Sequence, residues 1–408
     1  MKIRTRRTSS ERAILAGLAV TCVLLGVASV GFGGCNAIGG LSDYHIQVPD
    51  VSSCGVNHEA CATSLDVPGG TYCRNFDPVS KTCTGPAPKR TDGQPCDPLY
   101  APFCGCAAGE TCCAASGPCD AASAQAACFG LSAGFKATVS SFRLDKFEVT
   151  VGRFRVFVNE VVSTGWNPAP GAGKHTHLQG GGLNGGSEPG WNGAALPSAK
   201  AVWDANLGAQ GGQQCTWTPD PGSNETLPIN CISWSEAYAF CIWDGGFLPS
   251  EAEWNYAATG GSARSDCSDQ RIYPWGDDAP DATKLIYGCG YPTPTTSDLG
   301  PGFIGNCAHS GGTNIAPVGS RPLGNGAFGQ SDLAGSMLEW TLDWVGPPAT
   351  NCVDCAVGSS DSSSSNRVVR GEPFWGEAPT PTAAQRENRP PDTRYDFVGA
   401  RCARSPRP

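Results

Sequence analysis

Twenty-two cysteines spread along the whole chain constrain this protein more than any other feature of its sequence. A reducing cytoplasm does not favour so many thiols, so the pattern implies an oxidising compartment in which crosslinks carry part of the stability. Eleven of them, at positions 54, 61, 73, 83, 96, 104, 106, 112, 113, 119 and 128, fall within residues 36–135. That segment is otherwise rich in Pro, Gly, Ala, Ser and Asp and too poor in large apolar residues to build a core, so crosslinks that restrict the unfolded chain are expected to staple it. Zinc is the competing account. Cys104-Gly-Cys106 followed by adjacent Cys112 and Cys113 contains no recurring Cys-x-x-Cys pair, which favours disulfides over a tetrahedral site. An odd number here, and nine cysteines after residue 200, imply a bond between the two regions whose partners spacing does not settle.

The N-terminus agrees with export. Lys2, Arg4, Arg6, Arg7 and Arg12 precede an uncharged apolar run from Ala13 to Phe32, the order of a secretory signal. The run ends in Phe32-Gly33-Gly34-Cys35, which resembles a bacterial lipoprotein processing site with Phe in place of the usual Leu. Residues 1–35 then read as a signal with a lipobox-like end, and cleavage before Cys35 would leave that cysteine lipidated at the new N-terminus and place the chain in the bacterial cell envelope, periplasmic or on the surface. The only membrane contact expected is then through that lipid. A formal charge of -9 without a concentrated basic face argues against nucleic-acid binding.

From residue 138 the texture changes. Phe142 to Val149 alternates as a strand does, and Val151 to Val162 places Phe154, Phe157, Val158 and Val161 at helical spacing before Gly165. Residues 166–227 read mostly as loop, and His175 and His177 within it lack a nearby third ligand, so a solvated loop is expected rather than a metal site. Ser233-Trp234-Ser235-Glu236 and Ser250-Glu251-Ala252-Glu253 are capping boxes that open two short helices. Glu236 and Glu253 therefore have amide donors to satisfy, which is a structural task and not catalysis. These pieces predict one loop-rich α+β domain over residues 138–404.

Its motifs then identify a family. Phe147-Glu148-Val149-Thr150, Leu227-Pro228-Ile229-Asn230 with Ser233-Trp234, Phe247 to Trp254, Tyr273-Pro274-Trp275-Gly276 and Ala334 to Trp340 occur in the order found in sulfatase-modifying factors, followed by Arg367 to Gly371 and Gly399-Ala400-Arg401. The domain resembles that formylglycine-generating-enzyme superfamily, which implies a C-type-lectin-like fold preceded here by the disulfide-rich segment. The resemblance also implies a pair of cysteines, separated by four residues and lying between the Arg-Gly-Gly string and the final Gly-Phe-Arg, that binds copper; soft thiolates suit Cu(I). Glu372 to Gly399 contains no cysteine, so copper is not expected. Cys352 and Cys355 form the alternative redox pair, against the simpler reading of a loop-stapling disulfide. Arg370, Trp375 and Arg401 are the candidates to line a pocket.

The family's structural calcium site is implied in part. Glu339 keeps the carboxylate of the matching string while Ser336 replaces its Asn, and Asp332 and Asp343 flank the segment. Iron-dependent sulfoxide synthesis, another family chemistry, needs a histidine-bearing helical domain, and the five histidines supply no His-x-x-x-His pair. Nor is there a phosphate loop or a Gly-x-Ser-x-Gly elbow. Two functions remain: a noncatalytic exported domain that binds a peptide, glycan or envelope protein, and a divergent formylglycine-generating oxidase or related peptide-modifying oxidoreductase. The missing pair favours the first, because function resides in site residues rather than in the fold.

Overall fold

The computed structural model describes residues 53–74, 136–178, 188–193, 195–208, 213–262, 269–289, 291, 314–346, 352–358, 365–376 and 383–407. The leader with Cys35 and eight of the eleven clustered cysteines lie outside the described residues.

The chain enters as a small hairpin, β1 (Ser53–Cys54) with β2 (Glu59–Ala60), closed by the Cys54–Cys61 disulfide. It continues into β3 (Ser64–Val67) and β4 (Gly70–Cys73), and resumes as β5 (Lys136–Val139) and β6 (Phe142–Asp145). β3 pairs antiparallel with β6, Leu65 facing Leu144, and β4 pairs antiparallel with β5, Tyr72 facing Ala137. Residues 53–74 are therefore strands of the main domain, which corrects the expectation of a separate stapled segment starting near residue 36. Their alternation supplies the reason: Val67 and Tyr72 turn into a shared core with Ala137, Val139, Phe142, Leu144 and Tyr256. The chain turns between β3 and β4 at Gly69, where a Cβ would lie 2.7 Å from both the Ser141 nitrogen and the Val139 oxygen.

The expected helix is α1 (Val151–Thr164), capped by Thr150 Oγ1 accepting from the Arg153 amide at 3.3 Å and ended by Gly165 at φ 72. Its Phe154 and Phe157 pack on Trp203 of α2 (Lys200–Leu207), a helix in a stretch whose sequence reads as loop. No side chain caps α2, so its start has no local signal; burial of Trp203 and Leu207 holds it. The two capping boxes open α3 (Trp234–Trp243) and α4 (Glu251–Thr259) as expected, with both reciprocal bonds formed in each.

The remaining strands are β7 (Leu338–Trp344), β8 (Cys352–Val353), β9 (Arg367–Gly371), β10 (Arg386–Arg389), β11 (Val398–Gly399) and β12 (Ala403–Arg404). They form three sheets, ordered β10-β9-β7-β11, β12-β6-β3 and β4-β5-β8. Strands β7 and β9 are almost wholly buried, and the largest core gathers α1, α3 and β7 around Phe154, Phe240, Leu338 and Trp340. The Cys241–Cys402 disulfide ties α3 to the C-terminal strands across 161 residues, and Cys215–Cys231 braces the loop before α3. The result is an α+β, loop-rich, disulfide-braced domain. Among the described residues no helix is long and apolar enough to cross a membrane.

Candidate functional site

Strand β9 runs into the segment that the family's enzymes use for chemistry, and the charges beneath it are fully committed. Arg370 has no exposed surface: its Nη2 meets Glu251, and its Nη1 donates to the Ala384 and Gln385 carbonyls at 3.0 and 2.9 Å. Glu251, at the start of α4, also receives Arg386 at 2.5 Å and Arg74 at 2.6 Å. Burial alone would raise the Glu251 pKa, but Arg386, Arg74 and Arg370 together hold it well below the usual carboxylate range. Asp343 completes this group, accepting from the Glu251 and Val357 amides at 2.6 and 2.9 Å. Arg370 is thus a buried structural cation and lines no ligand surface.

Arg401 is enclosed in the same way. Its Nε and Nη2 form a two-pronged bond with Glu339 at 2.7 and 2.6 Å, and Nη2 also donates to the Ser331 carbonyl at 2.9 Å. Trp254 Nε1 donates to Glu339 Oε2 at 2.7 Å, so both carboxylate oxygens are engaged. Ser336 Oγ bonds Glu148 Oε2 at 3.1 Å, and Asp332 accepts from the Gly319 amide at 2.6 Å. Burial raises Asp332 to about 6, against the opposing Gly319 bond and Arg401. Burial, Asp332 and Glu339 likewise push Glu148 well above its ordinary value. Calcium needs a cage of free oxygens. A guanidinium already occupies the cationic position against Glu339, so Glu339 and Ser336 do not fit such a cage.

Copper fits no better. Cys352 and Cys355 are bonded to each other, as are Cys241 and Cys402, so these cysteines are not free thiolates. Among the described residues, the one group of three whose ligand atoms all lie within 4.8 Å of one another is Asp145, Asp244 and Cys402. Its cysteine is in a disulfide, and both its acids are paired with Arg153 and Arg404.

Trp375 is the proposed pocket residue that keeps exposed surface. It is half-buried with its ring 5.3 Å from Phe397, whose own neighbour Tyr395 lies 5.2 Å away. Arg389 spans the last two rings at 5.3 and 5.6 Å and pairs with Glu387 at 2.5 Å. This patch combines flat apolar faces with one hydrogen-bonding fork, which suits recognition rather than bond making. Nothing in the sequence joins residue 375 to residues 389–397 except that all lie in one family segment.

A second cluster was not legible in the sequence. His175 is buried between Glu188 Oε1 at 3.1 Å and Glu253 Oε2 at 3.0 Å, and His177 Nε2 meets Glu253 Oε1 at 2.9 Å. Burial would lower the His175 pKa, but Glu253 and Glu188 raise it to about 9. The loop carrying both histidines is packed against α4, with His175 3.9 Å from the Phe247 ring, and not solvated as expected. Glu253 keeps its capping role and holds both imidazoles as well.

A family model described as the sulfatase-modifying factor enzyme 1-like domain matches residues 109–406. The inactive C-alpha-formylglycine-generating enzyme 2 of Mus musculus is 29% identical over 289 residues, which cover 66% of this chain and 76% of the relative. The formylglycine-generating enzyme of Streptomyces coelicolor is 31% identical over 183 residues, 43% of this chain and about half of the relative, at 52%. The structure of PvdO from Pseudomonas aeruginosa aligns over 84% of this chain and 94% of its own, with 18% identity and a TM-score of 0.39. A match covering residues 109–406 places this chain in the sulfatase-modifying factor enzyme 1-like family.

Proposed function

We propose that this protein is an exported, lipid-anchored member of its family in which the domain has given up the family's copper-dependent oxidation and binds a partner. The observation that carries the reading is chemical: residues 372–399 contain no cysteine, and the neighbouring Cys352 and Cys355 are bonded to each other. Without two free thiolates the family's copper cannot be held, and no step through it is available. The relation to a mammalian protein named as inactive supports the same conclusion. The half-buried surface of Trp375, Phe397, Tyr395 and Arg389 is the place proposed for the partner, a peptide, glycan or envelope protein. A C-type-lectin-like arrangement of the sheets and attachment through Cys35 belong to the same proposal, the latter supported by the basic start and the uncharged run before that cysteine.

The test is an assay of copper-supplied, partly reduced protein with oxygen and a Cys-x-Pro-x-Arg peptide, read by mass detection of the aldehyde. No aldehyde is expected. Turnover that disappears in Cys352→Ser would overturn the reading and place a relocated metal site at that pair. Mass analysis of the mature protein should find a diacylglyceryl group on Cys35; an unmodified terminus elsewhere would remove the anchor from the proposal.

A further inference from the structure

The Cys352–Cys355 disulfide differs from the others in what surrounds it and in what it does for the fold. Among the described disulfides it closes the shortest separation, three residues against 161 for Cys241–Cys402, so of these it restricts the unfolded chain least and stapling explains it least well. β8 is independently held by parallel pairing with β5, Ala137 opposite Cys352 and Thr138 opposite Val353. Asp354 braces the turn by accepting from the Ser140 amide and hydroxyl at 2.5 and 2.7 Å. Strand pairing and the Asp354 bonds therefore hold the turn in addition to the S–S bond.

A cation faces one of its sulfurs. Arg74, delivered by the strand that pairs with β5, points Nη1 at Cys355 Sγ from 3.7 Å while its Nη2 holds Glu251. Among the described residues, Arg74, Arg370 and Arg386 converge on Glu251, and Arg74 also lies 3.6 Å from Asp343. A thiolate on Cys355 would add a third anion at the cationic side of this group, which favours the reduced state of that sulfur. Both cysteines are buried, but Val353, next to Cys352, is 55% exposed, which brings the turn to the surface beside Cys352.

We propose that Cys352–Cys355 is an exchangeable disulfide that accepts electrons from thiol pairs of exported proteins. A partner thiolate attacks Cys352 Sγ, the S–S bond breaks, and its electron pair leaves on Cys355 beside Arg74. A second partner thiolate attacks the resulting mixed disulfide and expels the Cys352 thiolate, which takes up a proton. The partner gains one disulfide and the pair gains two electrons. Repeated turnover requires a disulfide oxidant of the compartment to restore the bond by the reverse exchange. This activity is separate from the aromatic surface and from copper, so it goes beyond the binding reading and can fail without it.

Titrating the full-length protein in glutathione buffers, with alkylation and peptide mass mapping, provides the test. Cys352 and Cys355 are expected to open at a glutathione ratio that leaves Cys241–Cys402 closed and the near-ultraviolet circular dichroism unchanged. Arg74→Met should move the opening midpoint roughly tenfold toward more reducing buffer, the effect of about one unit in thiolate pKa. Arg74 also serves Glu251, so the single-cysteine variants, which leave that pair intact, keep the proposal testable if Arg74→Met does not fold. In Cys352→Ser the remaining Cys355 should alkylate with a pH midpoint below that of Cys352 in Cys355→Ser. Opening only together with global unfolding, or the reverse order of the two midpoints, would overturn the proposal.

Discussion

Replacing Glu339 by Gln is the most informative single perturbation of the core, because it separates a protein-supplied cation from a metal. Glu339 has no exposed surface and accepts from Arg401 twice and from Trp254 once. Glutamine can still accept with one oxygen, but its amide group would face Arg401 Nη2 donor to donor, leaving the guanidinium buried without its counter-charge. Breaking one side of a buried pair costs about 3–5 kcal/mol. For a domain of roughly 270 residues that corresponds to a melting temperature lower by about 5–9 °C. Arg401→Met should be at least as damaging, since Glu148 and Asp332 also depend on that charge. The double variant Glu339→Met/Arg401→Met should lose less than the sum of the two single changes, because neither charge is then stranded. Calorimetry with calcium and with a chelator completes the assay, and neither should shift the wild-type transition. Calcium stabilisation of the wild type that vanishes in Glu339→Gln would refute the reasoning and assign the carboxylate to an ion.

Three further outcomes concern the buried charges and the N-terminal strands. His175 has its folded pKa raised to about 9, so its contribution is fully present below its unfolded value and is lost as pH rises through 9; the fall should approach about 3 kcal/mol in urea melts and be absent from His175→Gln. Asp332 titrates near 6 when folded, above its unfolded value, so stability should decline as pH rises from about 4 to 6. Asp332→Asn should remove that decline and raise stability at pH 7 in the same melts, since Asn tolerates the positive φ of 58 at this position. A chain started at Lys136 loses β3 and β4 and uncovers Val139, Leu144 and Tyr256, so limited proteolysis should degrade it much faster than the full-length protein, and equal resistance would contradict the pairing of β3 with β6 and of β4 with β5.

Elements with local signals were legible in the chain before any fold was known. Ser250 and Glu253 meet across one helical turn, as do Ser233 and Glu236, so both capping boxes could be read from spacing alone. The Phe154, Phe157, Val158 and Val161 stripe and the Gly165 stop defined α1 for the same reason. The absence of cysteine from residues 372–399, which decides against the family's copper chemistry, is also a fact of sequence. Meetings between residues far apart in the chain were not legible and emerged with the fold. Arg401 reaches Glu339 across 62 positions, which turns a proposed pocket residue and a proposed calcium ligand into one buried pair. Glu253 meets His177 across 76, giving a helix-capping acid a second task, and Arg74 reaches Cys355 across 281. α2 belongs with these cases, since it has no cap and exists because Trp203 and Leu207 find a core to enter. Spacing along the chain encodes hydrogen bonds within a turn, whereas burial and charge pairing depend on which distant segments the fold brings together, and that is settled only when the whole core closes.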